Sequence, residues 1–273
     1  MNNLILFTNR SGSTVLCDMI SYASGTMNLG EGTHSMIRDY NFNKPEHKQT
    51  QLFKTLTESN LTSRYHNNIT RGSDHIGFMK AKKKRIEVIK QANISWTAKE
   101  QTEKQTMDID FIEYCCKNKD INVYMTHRLD IVEQFVSKVN ARYRSEVVKS
   151  GDFIYTNNDS SQAYDAMQIK FGWLYLYTNV FIEQLMMWRV LYEKFKPHIQ
   201  LVSYENEIKP MKFDNIGINS DTVSRYKEET QHLVPTPHNT KKVIVLDDHP
   251  RPIAGAWEQS LHYVGRHKYL VEI

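Results

Sequence analysis

Leu4-Ile5-Leu6-Phe7-Thr8-Asn9-Arg10-Ser11-Gly12-Ser13-Thr14 runs from four consecutive apolar residues into a loop of small residues. Beyond it Val15, Leu16, Met19 and Ile20 recur at helical spacing until Gly25. A short unbroken apolar run is the pattern of a strand buried on both faces, as parallel sheets require. Strand, tight loop and helix in that order place backbone N–H groups and a helix N-terminus around one point, where an anion is held. Gly12 lets the backbone come close to such an anion, Ser13 and Thr14 add hydroxyl donors, and Arg10 adds a charged fork. The plainer alternative for the same residues is a strand-to-helix turn with a serine cap.

The rest of the chain repeats the alternation. Ile76-Gly-Phe-Met79 reads as a second buried strand leading into Lys80, Lys82, Lys83, Lys84 and Arg85. Met107 to Cys116 reads as a helix, Ile121 to Met125 as a strand and Ile131 to Tyr143 as an amphipathic helix. Ala163 to Phe195 is a long aromatic-rich helical stretch ended by Pro197, and Ile199 to Ser203 is a strand. Val223 to Leu233 is helical, Val243 to Leu246 is a short apolar run, and Ala254 to Val271 closes as a helix. Residues 46 to 62 are polar with weak helical periodicity. Strands and helices alternating in this way predict an α/β fold, one domain over residues 1–273 with a central parallel sheet flanked by helices and a P-loop-like phosphate-binding loop after the first strand. The strongest loop signal, Ser150 to Ser161, marks where a domain boundary would fall, but neither side of it reads as self-contained.

Composition narrows the function classes. Lys+Arg 35 against Asp+Glu 31 leaves +4, which helps to hold an anionic ligand and falls short of a protein that coats nucleic acid. Cys17 and the neighbours Cys115 and Cys116 cannot build a disulfide framework. The start lacks a basic segment and its apolar run stops after four residues, so neither a signal peptide nor a membrane anchor is expected, and a cytoplasmic protein is. The sequons at Asn60, Asn68, Asn93 and Asn158 then carry no meaning. No zinc spacing occurs among the histidines and cysteines, so no metal site is expected. Met186, Met187, Trp188 and Trp173 read as core, and the run Lys80 to Arg85 as a solvated basic face.

A second anion site is offered by His127-Arg-Leu-Asp130 at the end of the strand 121–125. Ligands of open α/β sheets lie outside the carboxyl ends of the strands, so Arg128 faces the same crevice as the first loop, and Ser137 follows nine residues on. A surface pair of Arg128 with Asp130 at a helix start is the structural alternative. The nucleotide triphosphatase pattern G-x-x-x-x-G-K-[ST] is missing, and no lysine precedes Lys44.

Together these segments resemble the sulfotransferases that use 3′-phosphoadenosine 5′-phosphosulfate (PAPS), closest to the bacterial trehalose 2-sulfotransferase type. Leu4 to Cys17, with Arg10-Ser-Gly-Ser-Thr14, is similar to the family's 5′-phosphosulfate loop, and His127 to Ser137 to its 3′-phosphate motif. Weaker likeness covers Gly77-Phe-Met-Lys80, Val202-Ser-Tyr-Glu205 and the stretch around Trp257, whose ring is a candidate to stack on adenine. The resemblance implies that Arg10, Ser11, Gly12, Ser13 and Thr14 bind the 5′-phosphosulfate, that Arg128 and Ser137 bind the 3′-phosphate, and that no metal takes part. It matches Lys80 to a lysine at a strand end that offsets charge on the bridging oxygen. Where the trehalose type has two glutamates, this chain has Glu31 and His34. The acceptor's proton therefore falls to His34, or to Glu31 acting directly or orienting His34.

The expected activity is transfer of a sulfuryl group from PAPS to a hydroxyl of a carbohydrate or small metabolite, with no nucleic-acid partner and no membrane span. The trehalose type suggests a homodimer. Two other classes stay open on the residues alone: a P-loop-type nucleotide kinase or other phosphoryl transferase, which needs Mg²⁺, and a non-catalytic nucleotide or nucleic-acid binder using the basic run.

Overall fold

The apolar run that opens the chain is the middle strand of the central sheet. A computed structural model describes residues 1–31, 46, 49–58, 75–104, 106–147, 167–230, 243–247 and 251–273. Strand β1 (Asn2–Phe7) pairs in parallel with β3 (Trp96–Gln101) on one side and β4 (Ile121–His127) on the other. Strand β2 (Met27–Gly30) lies outside β3 and β6 (Ile199–Ser203) outside β4, completing a parallel five-stranded sheet of order β2-β3-β1-β4-β6. A separate parallel pair joins β5 (Met167–Lys170) to β7 (Val243–Leu246). The fold is α/β with a central parallel sheet between helices, as the alternation predicts.

Both faces of β1 are covered, which is why its side chains need no polar alternation. Ile5 packs with helix α1 (Ser13–Ser24) and, through Val223 and Tyr226, helix α7 (Ser220–Thr230). Leu4 and Leu6 point the other way, into a larger core built on helices α3 (His75–Lys90), α4 (Ile109–Lys117), α5 (Ile131–Val147), α6 (Phe171–Phe195) and α8 (Ala256–Gly265). Helix α2 (Gln51–Glu58) adds Leu52 and Leu56 to this core. Trp188 of α6 is fully buried and its Nε1 donates to the carbonyl of Thr126 at 2.9 Å; Trp173 and Met187 pack against the core, while Met186 is exposed. Among the described residues no helix is long and apolar enough to cross a membrane.

Several expected elements change. Residues 76–79 are the first turn of helix α3, not a strand, and the second and third strands in chain order are Met27–Gly30 and Trp96–Gln101. The helix expected from Ala163 begins only at Phe171, because Met167–Lys170 are drawn into pairing with β7. The closing helix stops at Gly265 and continues as a short 3₁₀ turn, Lys268–Leu270. The loop Ser150–Ser161 lies outside the described residues.

The basic run is a solvated face only in part. Lys82 and Arg85 turn inward and are buried, while Lys80, Lys83 and Lys84 remain exposed. Lys82 Nζ forms a buried ion pair with Glu100 of β3 and donates to the carbonyl of Thr106. Glu100 also accepts from the Asp108 amide at 3.2 Å, and Arg85 donates to the carbonyl of Leu56 at 2.9 Å. Burial lowers the Arg85 guanidinium to about 10, so its charge is held at some cost in solvation. Removing one member of a buried pair strands the other in low dielectric. Lys82→Ala is therefore expected to lower the unfolding free energy by about 3–5 kcal/mol in urea titrations, and Lys82→Met with Glu100→Gln to recover most of it. An unchanged midpoint for Lys82→Ala would show that Glu100 does not depend on it.

Candidate functional site

The loop after β1 is held from beneath before any ligand is considered. Ser11 is fully buried; its hydroxyl donates to the Thr8 carbonyl at 2.7 Å and lies 2.5 Å from Thr126 Oγ1 on β4. Gln134, in the first turn of α5, donates to Thr8 Oγ1 at 2.8 Å and to the Asn9 carbonyl at 2.7 Å. The Ser11 hydroxyl is thus a brace, which leaves the loop backbone and the side chains of residues 10, 13 and 14 as its candidate anion donors.

Gly12 precedes α1 with φ 81, and the helix starts there without a side-chain cap and without an acidic residue in its first turn. A Cβ at this position would lie 2.8 Å from both Tyr204 Cδ2 and Ile208 Cγ2. Conformation and crowding both demand glycine. Gly12→Ala is expected to cost about 2 kcal/mol or more of stability, read as a lowered urea midpoint, because it combines a left-handed backbone with overpacking. A variant as stable as the parent would mean the loop can shift away from Tyr204 and Ile208.

Arg10 is one of two non-glycine residues with positive φ among the described residues, at 65. Such a residue is held in place by its surroundings. Its Nε donates to Ser137 Oγ on α5 at 3.0 Å, and its own carbonyl accepts from Arg128 NH1 at 3.0 Å. The three residues assigned to the donor's two ends therefore meet at Arg10. Arg128 is buried and lies over the Tyr204 ring at 4.2 Å; its NH2 pairs with Glu133 at 2.8 Å, and Glu205 stands 3.9 Å from its Nε. The Glu205 carboxylate accepts from the amides of Leu129 and Asp130 at 3.1 and 3.3 Å, fixing the start of α5. Glu133 is more than half exposed, so its pair with Arg128 is weak and open to competition from solvent ions.

The residue that sequence reasoning missed is Lys99. It stands on β3 at the register position of Ile5, and its side chain is buried. Nζ donates to Thr14 Oγ1 at 2.9 Å, pairs with Glu31 at 3.1 Å and lies over the Phe7 ring at 4.9 Å. One ammonium thus ties the phosphate-type loop to the carboxylate expected to handle the acceptor. Lys80, the lysine expected there, is exposed on α3 with no hydrogen bond or ion pair among the described residues. Placing it at a strand end fails because the strand is Trp96–Gln101.

Glu31 follows the end of β2, where Asn28 Oδ1 accepts from the Gly30 amide at 2.9 Å and Asn28 Nδ2 donates to the buried Asp18 at 2.6 Å. That network fixes the turn presenting Glu31. His34 lies outside the described residues. Trp257 is half-buried with its ring 6.1 Å from that of Phe135, against the core. All three cysteines are free and buried, and burial pushes the Cys116 thiol up to about 11.

Arg10, Lys99 and Arg128 therefore surround the N-terminus of α1 at the carboxyl ends of β1, β3 and β4, which is the ligand position of an open α/β sheet. No protein-family model matches the chain, and no curated protein matches it.

Proposed function

We propose that the protein is a PAPS-dependent sulfotransferase acting on a hydroxyl of a carbohydrate or small metabolite. The observation that carries this reading is Lys99, whose ammonium bridges Thr14 of the loop and Glu31. In this reading Arg10, the amides at the start of α1 and the Thr14 hydroxyl hold the 5′-phosphosulfate, while Arg128 and Ser137 hold the 3′-phosphate. An acceptor oxygen attacks sulfur in line, its proton goes to His34 or Glu31, and the bridging oxygen leaves with 3′-phosphoadenosine 5′-phosphate (PAP). Lys99 rather than Lys80 meets the charge that builds on that bridging oxygen, because it already donates into the loop from a buried position where a cation acts strongly.

The same lysine weighs against the phosphoryl-transfer reading. A P-loop enzyme uses the Ser/Thr hydroxyl at this point to hold Mg²⁺. Here that hydroxyl accepts from an ammonium, and two cations do not share one oxygen comfortably. The nucleic-acid reading loses the inward-turned Lys82 and Arg85 from its basic run.

The test is transfer of label from radiolabelled PAPS to a panel of hydroxyl acceptors, with ATP and Mg²⁺ in parallel. Labelled acceptor from PAPS in the absence of metal supports the proposal; labelled acceptor from ATP alone would replace it with the kinase reading. Within that assay His34→Ala and Glu31→Ala separate the two bases. The true base is expected to lose about 10²–10⁴-fold in kcat with PAP binding unchanged, and the other much less.

A further inference from the structure

Lys138 on α5 is a buried ammonium with no carboxylate at ion-pair distance among the described residues. Its side chain is about nine-tenths covered. Nζ makes one hydrogen bond, to Gln184 Oε1 of α6 at 3.0 Å, and lies 5.6 and 5.9 Å from the centres of the Phe181 and Tyr177 rings. An ammonium carries three donors, so two have no hydrogen-bond acceptor among the described residues. Burial lowers it to about 8, with Glu103 opposing the shift through space. Two other buried lysines are each matched by a carboxylate: Lys82 by Glu100 and Lys99 by Glu31.

Its place in the fold gives the missing anion a source. Lys138 is one turn, about 6 Å, beyond Gln134 on the same face of α5. Gln134 reaches the carboxyl end of β1 at Thr8 and Asn9, and the intervening Ser137 receives Arg10. Glu103 follows the end of β3 by two residues. Lys138 therefore lies on the face of α5 that meets the carboxyl end of β1 through Gln134. A cation that is desolvated, poorly matched and one turn from a residue touching the candidate loop is suited to receive a negative group from a bound molecule.

We propose that Lys138 binds an anionic oxygen group of the acceptor, a carboxylate, sulfate or phosphate, so that the substrate is an acidic hydroxyl compound rather than a neutral sugar. This rests on the sulfotransferase reading of the site. Aromatic rings at 177 and 181 exclude water around the ammonium, which strengthens a charge-assisted hydrogen bond there.

The experiment titrates glucuronate, glucose 6-sulfate, glucose 6-phosphate and glucose into the full-length protein by calorimetry, with and without PAP. Wild type is expected to bind at least one anionic sugar about tenfold or more tightly than glucose, the worth of one charge-assisted hydrogen bond. The three anionic arms tell which group is taken. In Lys138→Met that preference is expected to vanish while PAP binding and the melting temperature hold, since methionine keeps the length and removes a buried charge. Gln184→Glu is the second variant. It supplies an internal carboxylate to Lys138 and is expected to lower the preference by a similar factor with the lysine still present. No preference in wild type, or a preference untouched in both variants, overturns the proposal, as does a Lys138→Met protein that fails to fold. Failure of PAP to bind would instead remove the sulfotransferase reading, and the sugar titrations without nucleotide would still decide whether Lys138 marks an anion site.

Discussion

Arg10→Gly is expected to lower kcat/KM for sulfuryl transfer by about 10³-fold or more, the scale of losing a positioned charged group from a transition-state cradle. Glycine is the informative replacement. Arg10 holds φ at 65, a conformation that glycine adopts without strain, so the variant keeps or gains stability while losing the guanidinium. The backbone bond from Arg128 to the carbonyl of residue 10 survives the change, so the loop is not released. Ser137→Ala removes an anchor of Arg10 and, in the proposed site, a hydroxyl that holds the 3′-phosphate, and is expected to cost about tenfold or more, near the worth of one hydrogen bond to a charged group. Steady-state rates with PAP calorimetry on both variants check this. Near-normal turnover in Arg10→Gly would remove the loop from the mechanism.

Lys99→Met is expected to lose about 10²–10³-fold in kcat, with PAP affinity changed far less. The split follows from where the ammonium sits. It touches Thr14 and Glu31, so its charge bears on the oxygen between donor and acceptor rather than on the nucleotide's far end. Methionine fills the buried volume, and Lys99→Arg is expected to restore only part of the rate because the planar fork cannot make both contacts in the same geometry. Lys80→Met, on the exposed face of α3, is expected to leave kcat unchanged. A reversal of these two results would return the role to Lys80.

The strands legible in the sequence are those rich in apolar residues. Leu4–Phe7, Ile121–Met125 and Ile199–Ser203 read as strands and are strands; the unbroken run of the first reflects burial on both faces, while Asn122 and the exposed Gln200 interrupt the other two. Trp96–Gln101 is equally central and was illegible for the opposite reason. Thr97, Lys99 and Glu100 are all buried, and each is satisfied by a partner far away in sequence: Thr97 by Thr26 and Asn3, Lys99 by Thr14 and Glu31, Glu100 by Lys82. Local patterning cannot show a polar residue that is made tolerable by a tertiary contact. The same pairing hid Lys82 inside what reads as a charged surface run.

Of the candidate site, the Arg10 to Thr14 loop and its convergence with Arg128 and Ser137 were readable, since each follows directly from a legible strand. Lys99 was not, because it belongs to the strand that hides. Its one local signal is a lysine closing the short segment Ile94-Ser-Trp-Thr-Ala-Lys99, a pattern shared by many surface positions. Lys138 was equally silent, since an amphipathic helix ordinarily carries its lysines outward.

The most direct measurement on the central claim is calorimetric binding of PAP against AMP and ATP, each with and without Mg²⁺. A metal-independent preference for PAP over AMP of about 10²-fold or more is expected, carried by the 3′-phosphate on Arg128 and lost in Arg128→Ala. Equal binding of PAP and AMP, or a preference for ATP that needs Mg²⁺, would contradict it.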